Sequence, residues 1–203
     1  MVFGIREIVV DMNNFKPEKI FLFIILIFGF LNLLITPIGA GFDEDTHVAR
    51  IWEMSKGVLL PNQYLSQGPF FPQVFYQLSY RQQKNLAPIT LNQWNDQLKA
   101  RIDWNNMIFH NTRATYFPLL YLPQSFIMGL FNRLLDIPVA ITYYLLRFSY
   151  LLIYAILVYL AVRIIPIGKW VLGILAITPM TIIQTTTIQP KSINNKICFL
   201  FIN

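Results

Sequence analysis

Hydrophobic and polar positions fall in long blocks along this chain, with little of the short-period alternation of a soluble core. Residues 20–38 (IFLFIILIFGFLNLLITPI) carry no charge, and the run is about as long as the roughly 20 residues that cross a bilayer core. Three more apolar runs follow, at 116–135, 137–162 and 170–190. Between the first run and the second lies a polar, aromatic-rich stretch, too long for an ordinary connecting loop. No single-domain soluble fold explains this pattern. The expected fold class is all-α, a polytopic transmembrane helical protein.

Arg6, Lys16 and Lys19 precede the first run, which makes residues 1–19 a cytoplasmic leader and 20–38 a crossing helix. The rival reading is a cleaved signal peptide, with Gly39, Ala40 and Gly41 near the cut, but leader and run are both long for one. Run 116–135 contains Pro118, Pro123 and Gln124, so its helix should be broken where a crossing helix is continuous. We expect it to associate with the membrane without crossing. The later crossings are then 140–162 and 170–188, joined by a cytoplasmic turn at 163–169. This keeps Arg163 and Lys169 on the inside, makes 39–139 one outer loop, and leaves 189–203 outside. Residues 194–203 read as the start of a further apolar segment, too short to cross. That suggests a truncated gene product or a fragment.

Two amphipathic helices are legible in the outer loop. Asp43 or Asp45 can cap one that runs to Lys56 and stops at Gly57, with Val48, Ile51, Trp52 and Ser55 on one face. Thr90-Leu91-Asn92-Gln93 has the form of a capping box, opening a helix that aligns Leu91, Trp94, Leu98 and Ile102. Both are expected to lie flat on the membrane surface. Pro69-Phe70-Phe71-Pro72, Phe75, Tyr76 and Tyr80 read as an interfacial segment.

Composition sharpens the picture. Charged residues are 13% of the chain, about half the usual fraction of a soluble domain. Aromatics are 15%, suiting lipid-facing helices and interfacial belts. The net charge of +6 raises the question of nucleic acid. Up to Trp104, however, acids and bases balance at nine each, and the excess comes from seven scattered bases against Asp136. Bases strewn beside apolar runs flank membrane segments and do not form a phosphate-binding patch. Nucleic acid is therefore excluded. Cys198 is the lone cysteine, so neither an intrachain disulfide nor a cysteine-rich metal site exists. No Asn-x-Ser/Thr sequon occurs, which fits a bacterial inner-membrane protein.

The densest polar constellation is Phe42-Asp43-Glu44-Asp45-Thr46-His47, directly after the first run. Carboxylates at a membrane face are costly to desolvate unless they bind something. Asp43 and His47, at i and i+4, could hold a divalent cation, or one carboxylate could take a proton from an acceptor hydroxyl. The alternative is a solvated helix start, where acids meet the helix dipole. Arg147 sits inside an apolar run, either partnering Asp43, Glu44 or a lipid phosphate, or snorkelling to the headgroups. His110, Asn111 and Arg113 form a second polar group that reads as ordinary surface.

The order of these parts resembles the C-type glycosyltransferase superfamily, membrane enzymes that take sugars from polyprenyl-phosphate donors. It resembles more closely a bacterial membrane family, domain of unknown function 2142. The matching pieces are Asp43-Glu44 followed by His47-Val48-Ala49-Arg50, Tyr116-Phe117-Pro118-Leu119-Leu120-Tyr121 with Pro123, and Arg147 opening a span. Pro166-Ile167-Gly168-Lys169 and Thr178-Pro179-Met180 complete the set. The resemblance implies a GT-C-like N-terminal half, with Asp43 as catalytic or metal-associated carboxylate and Glu44 beside it. It makes the aromatic loop and the Pro118/Pro123 segment part of a substrate groove, with His47, Tyr116 and Arg147 as candidate substrate-binding residues. Lys191 departs from the pattern, standing where relatives carry an acid, and the chain lacks their later spans. The chain alone is therefore expected to be inactive. The leading function is the N-terminal part of a glycosyltransferase-like membrane protein using a polyprenyl-phosphate-linked sugar. The alternatives are a non-enzymatic membrane subunit or scaffold in envelope polysaccharide assembly or export, and a degenerate gene product.

Overall fold

Helix α1 (Pro17–Ile35) opens on a proline, whose missing N–H would be unpaired in a first turn anyway. It closes at Thr36, where the backbone turns extended ahead of Pro37 and the threonine hydroxyl donates to the Asn32 carbonyl at 2.7 Å. These two prolines set the helix three residues earlier than the apolar run alone suggests. The computed structural model to which α1 belongs describes residues 16–41, 43–59, 70–79, 90–109 and 118–188. Arg6, Phe42, Tyr80, His110, Asn111, Arg113, Tyr116, Phe117, Lys191 and the closing apolar run lie outside the described residues.

α1 buries Phe21, Ile25, Gly29 and Leu33, spaced four apart, and packs along the long helix later in the chain, Val139–Ile164. Phe23, Phe28, Leu31 and Ile35 point outward. A methyl group at Gly29 would run into the Leu151 side chain, so the glycine lets two apolar helices approach closely, as small residues do inside membranes. These two helices are long and apolar enough to cross a membrane. The longer has 26 residues, about 39 Å of helix, and so exceeds a hydrocarbon core of about 30 Å.

The stretch expected to cross as one helix over 170–188 is two short helices, Lys169–Ala176 and Pro179–Thr185. Ile177 and Thr178 leave the helix, and Pro179, which has no N–H to donate, restarts it in a new first turn. The first piece is held to α1 by Phe21, which meets the Trp170 ring edge-on at 5.6 Å. Tyr154 anchors its end by donating to the Ala176 carbonyl at 2.7 Å.

Among the described residues, the region between the two long helices is mostly helical, with one departure from an all-α fold. In chain order it comprises α2 (Glu44–Ser55), β1 (Phe70–Pro72), α3 (Gln73–Leu78), α4 (Leu91–Lys99), β2 (Met107–Phe109) and α5 (Leu122–Met128). The long helix is then α6, and its two short successors are α7 and α8. Strands β1 and β2 pair antiparallel, with Phe70 opposite Phe109 and Pro72 opposite Met107. Aromatic residues ending on a proline favour this extended edge over a helix. The aromatic segment turns inward: Phe71 and Phe75 are buried and stack at 5.1 Å, while Phe70 stays exposed.

α2 buries Val48, Ile51 and Trp52 as its spacing predicts, and also Ala49, Arg50, Glu53 and Met54. It is thus enclosed on all sides, unlike a helix laid flat by one face. Arg50 pairs with Glu53 one turn on and reaches the carbonyls of Val58 and Leu59, clipping the chain that leaves the helix. α4 rests on α6, with the Trp94 ring 6.1 Å from Tyr144. Within 116–135, the described part runs as a 3-10 turn (Pro118–Tyr121), α5 and a π-helical segment (Gly129–Leu134). Pro118 opens the 3-10 turn, Pro123 stands in the first turn of α5, and the π-helical segment begins at Gly129.

Candidate functional site

The acidic turn after the first long helix is built around one buried ion pair. Arg147, eight residues into α6, has a fully buried side chain, as does Glu44 at the start of α2. The guanidinium grips the carboxylate in a fork, Nε to Oε1 at 2.9 Å and Nη2 to Oε2 at 2.8 Å. It also donates to the Thr36 carbonyl at 2.6 Å and the Pro37 carbonyl at 2.7 Å, just past the end of α1. Glu44 in turn accepts from the backbone N–H of Gly41 at 3.0 Å and of Ile188 at 2.9 Å. The Tyr143 ring covers the guanidinium at 5.1 Å.

One charge pair thus ties together the end of α1, the start of α2, the N-terminal part of α6 and the chain leaving α8. Two charges out of water remain tolerable only when paired with well-placed hydrogen bonds, and a bidentate fork plus carbonyl acceptors meets that condition. Arg147 points inward to Glu44 and the carbonyls.

The neighbours of Glu44 face other ways. Asp43 is exposed and sits in the left-handed region at φ 55°, as the residue before α2. An aspartate accepts that conformation better than most residues. Its carbonyl accepts from the His47 N–H at 3.2 Å. Asp45 accepts from the Ser79 hydroxyl at 3.0 Å, binding α2 to the end of α3. His47 is buried, its Nδ1 2.9 Å from the Tyr121 hydroxyl. Asp43 and His47 therefore occupy different surroundings, one at the surface and one between α2 and the 3-10 turn.

Among the described residues, no group of three or more His, Cys, Asp or Glu gathers so as to hold a metal ion. The donor set agrees: both Glu44 oxygens are filled by N–H groups, and His47 meets Tyr121. Glu44 and His47 thus have their partners within the protein.

Two features were not read from the sequence. Arg50 and Glu53 are a second buried pair on α2, signalled only by opposite charges three apart in a segment read as amphipathic. The Thr181, Thr185, Thr186 and Thr187 hydroxyl cluster is also buried, with Asn32 of α1 donating to Thr186. In an apolar helix such side chains mark an interface between helices.

A family profile described as predicted membrane protein covers residues 26–203, from within α1 to the last residue. The chain belongs to the DUF2142 family. Within DUF2142 terms, the matched region contains the whole Glu44–Arg147 junction and both membrane-length helices, the first in part. No curated protein and no solved structure matches the chain significantly.

Proposed function

We propose that this DUF2142 chain is the N-terminal part of a glycosyltransferase-like membrane protein that takes a sugar from a polyprenyl-phosphate donor at the outer membrane face. The observation that carries the reading is the division of labour between two adjacent acids. Glu44 is saturated by Arg147 and two backbone N–H groups, while Asp43 beside it is exposed on a fixed, left-handed turn. A carboxylate held at a membrane surface by its rigid neighbour suits a general base. Asp43 would take the proton of an acceptor hydroxyl as that oxygen bonds to the sugar's anomeric carbon. The bond from that carbon to the phosphate breaks, and the polyprenyl phosphate leaves. In this reading Glu44 and Arg147 position the turn.

A second reading, a non-enzymatic membrane subunit, draws on the same buried pair as pure architecture. Turnover separates the two. The chain is joined to the later spans of a complete relative, placed in vesicles, and given labelled polyprenyl-phosphate sugars with a broad acceptor set. Label transfer that depends on the chain supports the enzyme. Absence of transfer from folded protein leaves the subunit.

A further inference from the structure

Arg147 and Arg50 are committed to buried carboxylates, and Arg101 is paired with Asp136 at 2.8 Å. Lys56 and Arg133 are different. Both are exposed, and among the described residues neither forms an ion pair with a carboxylate. Arg133 donates to the Ser55 carbonyl at 2.9 Å, and Lys56 is the next residue. The Lys56 ammonium lies 5.0 Å over the Trp52 ring and donates to the Phe70 carbonyl at 3.2 Å. The nearest acid along the helix, Glu53, is buried against Arg50.

The surroundings of this pair are apolar and outward-facing. Leu59, Phe70, Trp104, Leu134 and Leu135 are each more than half exposed. Phe126, at 71%, continues that surface along α5. Side by side, cations and exposed leucines and aromatics are the composition of a surface seated at a lipid headgroup layer. Both cations stand at the end of α2, and the Arg133 charge is close enough to act on the Lys56 ammonium.

We propose that Lys56 and Arg133 clamp the phosphate of a membrane phospholipid, whose acyl chains lie along the Leu134, Leu135 and Phe126 surface. Guanidinium and ammonium together supply charge-assisted hydrogen bonds to phosphate oxygens. Partial burial and the Arg133 charge lower the Lys56 pKa, against a smaller opposing effect of Glu53. A phosphate between the two cations relieves their repulsion. The site does not depend on the glycosyltransferase reading, because it uses neither Asp43 nor a sugar donor.

The test is native mass spectrometry of the whole chain released from detergent, with phosphatidate or diacylglycerol added in equal amounts. The chain should retain phosphatidate over diacylglycerol by roughly thirtyfold, the product of two basic residues each contributing about 1 kcal/mol at a lipid surface. Lys56→Gln, which touches only an exposed side chain, should cut that preference about fivefold, and adding Arg133→Gln should abolish it. Arg133→Lys, which keeps the charge, should retain most of it, and Arg101→Gln should leave it intact. Equal retention of the two lipids, or a preference that survives in the folded double variant, overturns the proposal. Displacement of phosphatidate by millimolar inorganic phosphate also overturns it, since that marks a site for soluble anions.

Discussion

Arg147 and Glu44 lie 103 positions apart and form the only ion pair among the described residues that joins a membrane-length helix to the region between the two long helices. Breaking one side of such a pair strands a buried charge, which costs about 3–5 kcal/mol. We expect Arg147→Leu to lose stability in that range, and Glu44→Gln, which keeps an acceptor, to lose somewhat less. Denaturation in mixed detergent micelles measures both. The double variant Glu44→Gln with Arg147→Met should recover part of the loss. Additive losses would mean that the two residues act independently.

Gly29 sets the spacing between α1 and α6. Gly29→Val should lower stability by about 1–3 kcal/mol, because the added atoms meet Leu151. Adding Leu151→Ala clears that space and should restore part of it. Equal unfolding midpoints for Gly29→Val and the parent would show that the helices are not this close.

Much of this arrangement was legible in the sequence. The first long helix, α2 with its Gly57 stop, and the helix opening at Thr90 follow from apolar spacing and end signals, which act locally. An intramembrane arginine and an acidic turn were visible too. Which acid takes Arg147 is a matter of tertiary packing: Glu44 points into the junction because Asp43 takes the left-handed turn before the helix begins. The small sheet was missed because Phe70–Pro72 and Met107–Phe109 are three residues each, too short for alternation to register. The break at Pro179 was hidden inside an apolar run. Proline there was read as part of a span, although it marks a restart.

The basic flank of α1 predicts a membrane orientation. Reporter fusions should place the N-terminus inside and position 85 outside, with position 165 inside again. A cytoplasmic signal at 85 would reverse the orientation. An outside signal at 165 would mean that the segment around α5 crosses the bilayer.

In the proposed enzyme, Asp43 does the chemistry while Glu44 holds structure. The direct measurement is label transfer from a polyprenyl-phosphate sugar by these residues joined to the later spans of a complete relative, Asp43→Asn against the parent. The predicted result is a fall of about a hundredfold or more in transfer, with an unchanged unfolding midpoint. Transfer at the parental rate, from equally abundant folded protein, would contradict it.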